Sequence, residues 1–232
     1  MERVYDFKTT RNNNLMKIGK EWLSISDMMS GLMMIFLFIG VSLMMEVQKK
    51  EIIVQDIKAD LDKDLNQKFA NKFKEWGISE VKDNIFRFNA PDVNFEINQD
   101  VVTDKFKAIL SEFFPQYIEV LTSKKYKNYI KEIRIEGHTD SGYSLAFNKN
   151  EGYIYNIDLS QRRSKNVLLF LTELETFQTN EAFMTQKIRV NGFGSSVPVL
   201  DENTSKENFI LSRRVDFRVI IANVSEQNQT LP

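Results

Sequence analysis

The stretch from Trp22 to Met45, WLSISDMMSGLMMIFLFIGVSLMM, reads as a membrane span except at one letter. From Met28 to Met45 there are 18 consecutive uncharged residues, rich in Met, Leu, Ile and Phe. At 1.5 Å per residue the whole stretch extends about 36 Å as a helix, enough for a tilted crossing. The exception is Asp27. An ionised side chain at the bilayer centre costs at least about 2.5–3.5 kcal/mol, so an acid here needs a reason. Two are open from position alone. Asp27 either caps the helix beside headgroup water, or it faces another helix across the small residues near it, Ser26, Ser30 and Gly31, with Met34 beyond.

A cleavable signal peptide fits poorly, because the apolar run exceeds the usual core of about 7–15 residues and no A-x-A-like site follows it. The first 20 residues carry Arg3, Lys8, Arg11, Lys17 and Lys20 against Glu2 and Asp6. The positive-inside rule then predicts a cytoplasmic N-terminus, one uncleaved span, and export of everything after Met45.

The rest of the composition mainly excludes. Net charge is −1, from 31 basic and 32 acidic residues, so no global field draws in nucleic acid. Cys is absent, which leaves no thiolate metal site, and a single histidine, His138, weakens any metal or Ser-His-Asp reading. GFGSSVP (Gly192 to Pro198) is not a dinucleotide fingerprint, and no nucleophile–base set is visible. Catalysis is not expected. The 18 Phe suit a packed core.

Beyond the span, Glu46 to Trp76 is charged and lacks Gly and Pro. Ile53, Ile57, Leu61, Leu65, Phe69, Phe73 and Trp76 recur at spacings of three and four, one stripe on a helix. The stripe packs either on the downstream domain or on a second copy, with Ile53, Ile57 and Leu61 as the seam. Gly77 breaks this helix. Ile85–Phe88 and Val93–Ile97 alternate like strands around Ala90-Pro91. Thr103–Leu121 reads as a helix, Ile130–Glu136 as a strand, Leu159–Leu174 as a helix, and Ile188–Phe193 and Val215–Ala222 as strands. Alternating elements predict an α/β sandwich of one sheet and a helical layer.

Three segments then fit a known pattern: IEGHTDSG (Ile135 to Gly142), YNIDLSQRRSKNV (Tyr155 to Val167), and VNGFGSSVPV (Val190 to Val199) followed by LSRRVDFRV (Leu211 to Val219). Their G-H-T-D turn, N-x-x-L-S-x-x-R helix start, glycine turn and R-R-V strand resemble the OmpA-like peptidoglycan-binding domain. The resemblance implies an α/β (α+β) sandwich of mixed sheet and helices, and a site for the diaminopimelate stem of peptidoglycan. It puts the binding residues at Asp140, Asn156 and Arg163, with backbone N–H groups at the helix start near Leu159 receiving an anion. A diaminopimelate end is a zwitterion, which an Asp and a bidentate Arg can hold between them. Read without the motif, Asp140 caps a turn and Arg163 makes an ion pair. The chain departs from the pattern by an insertion of about eight residues within SLAFNKNEGYIY (Ser144 to Tyr155), by Ser164 in place of the usual Ala, and by Ser212 in place of the usual Asn.

The whole arrangement resembles the MotB-type stator subunits of proton-driven motors. DMMSGLMMIFLFI (Asp27 to Ile39) matches their span motif, and the longer run through Ser42 is most similar to the corresponding subunit of Zorya anti-phage defence systems. The resemblance implies a cytoplasmic tail over 1–21, a transmembrane helix over 22–45, a periplasmic linker helix over 46–83, an OmpA-like domain over 84–223 and a tail over 224–232. It implies Asp27 as the proton carrier and a homodimer of this chain inside a ring of MotA/ZorA-type multi-span subunits, in the bacterial inner membrane with the domain on the wall. No bound cofactor is implied. The driving force would be a transmembrane gradient of protons, or of sodium ions. A flagellar stator subunit and a non-conducting wall tether remain alternatives at this stage.

Overall fold

A computed structural model of the chain describes residues 2–89, 94–96, 99–142, 148–201 and 203–222. It divides into two units, 1–52 and 53–232. Helix α1 (Glu2–Phe69) supplies the first unit. One 18-residue window of this helix has a mean hydropathy of 2.2, and none of that window is buried. It is long and apolar enough to cross a membrane, and its large side chains from Met28 to Met45 stand exposed.

The second unit begins with the last turns of α1, and here the apolar stripe finds its partner. Leu61, Leu65 and Phe69 are wholly buried. Phe69 packs edge-on against Phe86 at 5.1 Å and beside Phe113 at 5.5 Å. The helix expected over 46–83 therefore stops early. It ends at Phe69, α2 (Phe73–Trp76) follows, and Gly77 closes α2 in the left-handed conformation (φ 67°) that glycine adopts without strain. The domain accordingly starts well before residue 84, because its core needs Leu61, Leu65, Phe69 and Trp76. Leu61 cannot form a seam with a second copy, since its own chain consumes the whole side chain.

Gly77 breaks the helix as expected, and residues 78–82, which the resemblance put in the linker, are strand β1 (Ile78–Lys82). It pairs antiparallel with β2 (Ile85–Phe88) around the turn at Asp83 and Asn84, both at positive φ (56° and 58°). Helix α1 fixes this hairpin directly. The Asn66 side-chain amide donates to Val81 O (2.8 Å) and accepts from Val81 N (3.0 Å), and Asp62 accepts from Asn84 N (2.7 Å). An edge strand's open hydrogen bonds invite pairing with another chain; the Asn66 amide occupies those at Val81.

The remaining elements are α3 (Asp104–Leu121), β3 (Ile130–His138), α4 (Lys149–Thr172), α5 (Glu175–Thr179), α6 (Glu181–Lys187), β4 (Ile188–Gly194), α7 (Phe209–Ser212) and β5 (Arg214–Ile221). Thr103 caps α3 by accepting from Phe106 N at 3.1 Å. The sheet order is β1-β2-β5-β3-β4, with β3 and β4 parallel and the other pairs antiparallel. The expected mixed sandwich is therefore present. Of the strand expected over 93–97, only Asn94–Glu96 are described, where Phe95 forms an isolated bridge to Val102. Helix α4 begins at Lys149, not near Leu159, because the second half of the insertion winds into it behind the Asn148 cap.

One sheet face is aromatic. Phe86, Phe88 and Phe217 contact Phe113 of α3 at 5.0–5.2 Å. Residues alternate across a strand, so the opposite face carries Arg87, Glu136, His138, Arg214, Asp216 and Arg218.

Leu61→Ala should lower the unfolding free energy of the detergent-solubilised chain by about 2–5 kcal/mol, the range for emptying a buried leucine site. Ile53→Ala, at a position 45% exposed, should change it by about 0.5 kcal/mol or less. Urea unfolding followed by circular dichroism measures both, and two equal small effects would show a free linker in place of a domain helix.

Candidate functional site

Two glycines dock α4, which carries Asn156 and Arg163, against the sheet. A Cβ on Gly137 of β3 would lie 2.3 Å from the Ser160 carbonyl oxygen, and one on Gly192 of β4 would lie 2.6 Å from Gln161 N. Only glycine lets the backbone of α4 approach the sheet this closely. Ser160 Oγ accepts from Gly194 N at 2.8 Å. Ser164 Oγ lies 3.0 Å from the carbonyl oxygens of both Ser160 and Asn191. Ser164, where the resemblance expects Ala, is thus a second tie between helix and sheet. Ser212, the other departure, is fully buried and accepts from Val199 N at 3.0 Å.

This docking sets one face of α4, carrying Asn156, Leu159 and Arg163, beside the turn that follows β3. Asn156 is buried, and its Nδ2 donates to Asp140 O at 3.1 Å and lies 3.4 Å from Ser195 Oγ. Asp140 is mostly buried, with its side chain 16% exposed. Its Oδ1 accepts from Gly142 N (2.8 Å) and its Oδ2 from Arg213 Nη1 (2.8 Å). Next to it, the backbone N–H and the hydroxyl of Ser141 both donate to Glu207. Two ties therefore bind the 140–142 turn to the 207–213 segment.

Arg163 is 6% exposed. Its Nε donates to Gln99 O (2.8 Å) and its Nη2 to Glu96 O (3.4 Å), while the guanidinium lies over the Phe95 ring at 4.9 Å. Burial, above all, pulls its pKa down to about 10, with Arg213 adding to the fall while Tyr155, Asp140 and Asp100 oppose it. Arg163 remains charged at neutral pH, within electrostatic reach of Asp140 and Arg213. The surface ion pair expected without the motif belongs instead to its neighbour Arg162, which contacts Asp100 and Asp158.

Leu159 is buried but lies well inside α4. Backbone N–H groups in a helix interior are used by the helix ladder, so the anion-receiving N–H groups expected near Leu159 are not available there. The earlier helix start, built from the insertion, is the physical reason. Sequence reasoning also missed Arg213 and Glu207 as neighbours of Asp140. Arg213 stands in the LSRRV segment, whose pattern signals only a strand.

The polar sheet face holds a separate network. Glu136, His138 and Asp216 are 0–2% exposed. Arg218 Nε reaches Glu136 at 2.9 and 3.0 Å, and Arg87 and Arg214 both reach Asp216. These pairings are what permit two carboxylates to be buried. His138 stacks on Phe193 at 5.0 Å. Its ring nitrogens have no hydrogen-bond partner among the described residues. Asp216, 3.6 Å away, would favour protonation, but burial and the charges of Arg214, Arg87 and Arg218 outweigh it and push the imidazole pKa down to about 2.

An unfolded His titrates near 6.5. Below about pH 6.5 the unfolded chain therefore binds a proton that the native chain refuses, and this group destabilises the fold progressively as pH falls. The chain has one His, so its imidazole NMR signals should show no titration from pH 8 to pH 5. A midpoint near 6.5 would mean that the ring reaches water.

Residues 94–210 match the OmpA family. Over 210 residues the chain is 36% identical to the Zorya protein ZorB of Escherichia coli (Crooks strain), covering 87% of this chain and 88% of that protein. The chain belongs to the ZorB family. A second ZorB, from an ETEC strain of Escherichia coli, is 26% identical over 207 residues, covering 85% of this chain and 79% of that protein. Among solved structures, a putative MotB-like protein from Desulfovibrio vulgaris is similar with a TM-score of 0.48 and 20% identity, over 74% of this chain and 96% of that one. In this ZorB-family chain the apolar stretch of α1 with Asp27 belongs to the first unit, and Asp140, Asn156 and Arg163 belong to the second.

Proposed function

We propose that this ZorB-family chain is a proton-conducting, wall-anchored stator subunit of an inner-membrane rotary motor that acts in anti-phage defence. The observation that carries this reading is Asp27, an acid inside α1 at the start of its apolar stretch, in a chain that matches ZorB over 88% of that protein's length and whose other half is an OmpA-family domain. A carboxyl group among helices in lipid is cheaper neutral than charged, so protonation and release can be coupled to movement. One charge crossing 100 mV releases about 2.3 kcal/mol. A single span makes no path by itself. The partners are a second copy of this chain and a ring of MotA/ZorA-type multi-span subunits. The bases of the first 20 residues keep the N-terminus cytoplasmic and put the OmpA-family domain in the periplasm.

The domain holds peptidoglycan through the face shared by Asp140, Asn156 and Arg163, with the zwitterionic end of diaminopimelate as the recognised group. Opposite charges in electrostatic reach of one another support this.

Co-reconstitution of the chain with its multi-span partner in vesicles tests conduction, and sedimentation with purified sacculi tests anchoring. A wall tether that moves no ion would sediment normally and show no flux above that of the partner alone.

A further inference from the structure

The face of the sheet that carries no aromatic core holds a row of bases. Register sets Lys82 opposite Ile85, Ile85 opposite Arg218, Arg218 opposite Arg134, and Arg134 opposite Arg189. The row crosses all five strands. Its last three members, on β5, β3 and β4, stand side by side about 4.8 Å apart from strand to strand. Like charges directly opposite one another destabilise a sheet. Compensation within the chain is partial and lies underneath. Arg218 reaches Glu136 at 2.9 Å, and Arg134 reaches Glu132 at 2.8 Å. Glu136 and Asp216 are at most 1% exposed, whereas the side chains of Arg134 and Arg218 are 34% and 31% exposed. Arg189 is exposed, and its Nη1 donates to the adjacent Ile188 O at 2.7 Å; among the described residues no carboxylate pairs with it. Solvent therefore meets guanidinium groups with the acids hidden below them.

Such a face calls for an anionic occupant. A second copy is the wrong one, because a two-fold contact here would set the bases against themselves. The tether indicates the right one. Eight residues, 46–53, separate the apolar stretch ending at Met45 from Val54, the first buried core residue. Fully extended they reach about 29 Å, so the near end of the domain is leashed to the lipid surface. We propose that this face docks on the anionic phospholipid headgroups of the membrane that α1 crosses, with Arg134, Arg189 and Arg218 against the phosphates. The inference rests on the reading that α1 spans a membrane. It uses neither Asn156 nor Arg163, which belong to α4, packed on the opposite face of the sheet through Gly137 and Gly192. A domain docked this way turns α4 away from the lipid and toward the wall.

The chain has no Cys, so one introduced thiol carries a single dye. Ile220→Cys places it on the basic face, two residues from Arg218, and Ser111→Cys, exposed on α3 across the sheet, is the control. Each full-length labelled chain is reconstituted in vesicles with a headgroup spin-labelled lipid as quencher, in phosphatidylcholine alone or mixed with phosphatidylglycerol. The dye at position 220 should be quenched only where phosphatidylglycerol is present, and the dye at 111 in neither. About 1 M salt, with a Debye length of about 3 Å, should release it. One basic residue near an anionic surface is worth about fivefold in partition. Arg189→Gln should therefore lower the ratio of docked to free domain about fivefold, and Arg189→Glu further. Neither variant strips a buried acid of its partner, so circular dichroism should stay unchanged. Equal quenching with and without phosphatidylglycerol, or quenching indifferent to Arg189→Glu, would overturn the proposal. So would an unquenched dye at 220 that responds instead to a single-stranded oligonucleotide, which would make the face a nucleic-acid site. A chain that fails to float with the vesicles would overturn the spanning reading itself, and the docking with it.

Discussion

Asp27→Asn should abolish phage protection while the chain still inserts, assembles with its multi-span partner and sediments with sacculi. Asn keeps the size and shape of Asp but cannot take up or release a proton, so only steps that move charge are lost. Asp27 lies on an exposed helical face beside Ser26 and Ser30, and Ser30 Oγ donates to its own helix at Ser26 O (2.8 Å). No packing within the described chain therefore depends on the Asp27 carboxylate. Proton flux into vesicles holding both subunits, driven by an imposed potential, should fall to the level of the partner alone. Asp27→Glu keeps the titrating group on a longer arm and should retain part of the flux. Normal protection by Asp27→Asn cells would end the ion-carrier reading and leave the wall tether. Repeating the measurement with the sodium gradient collapsed would separate the two candidate ions.

Arg163→Ala should produce the largest effect outside the membrane. The substitution removes a buried cation and its bonds to Gln99 and Glu96, leaving those carbonyls short of a partner and removing one of the positive charges near Asp140. Truncating one member of a buried charged contact costs about 2–5 kcal/mol in binding, which at about 1.4 kcal/mol per tenfold is about 30-fold or more in affinity for sacculi. Arg162→Ala is the control. Its partners, Asp100 and Asp158, lie on the surface, and exposed pairs contribute about 0–1 kcal/mol. Arg163→Ala should lose protection while still assembling, because a stator free of the wall turns with its load. Equal sedimentation by wild type and by a chain carrying Asp140→Ala with Arg163→Ala would mean that the wall is gripped elsewhere.

Much of the domain was legible because its signals are local. The 3.6-residue period marked α3, the alternation of Ile130–Glu136 marked β3, and the G-H-T-D and R-R-V segments marked the family. Strand β1 was missed because ISEVK alternates poorly, although the Asp83-Asn84 pair was a hairpin signal in plain view. The start of α4 was misplaced because its first turns, Lys149 to Tyr155, carry little apolar periodicity and are set by the Asn148 cap.

By itself, the sequence determined the elements whose cause lies within a few residues: an apolar run long enough for lipid with an acid inside it, an amphipathic stripe, alternating strands, and turns with fixed spellings. Tertiary structure decided everything that depends on which surface meets which. It turned the stripe of α1 inward onto Phe86 and Phe113, making a linker into part of a core. It gave Asp140 to Arg213, a residue 73 positions away in the chain, and gave one edge of Arg163 to backbone carbonyls. The physical reason is that a charge's partner is chosen by distance and burial after the backbones have docked. Here the docking is set by the close approach of α4 to Gly137 and Gly192.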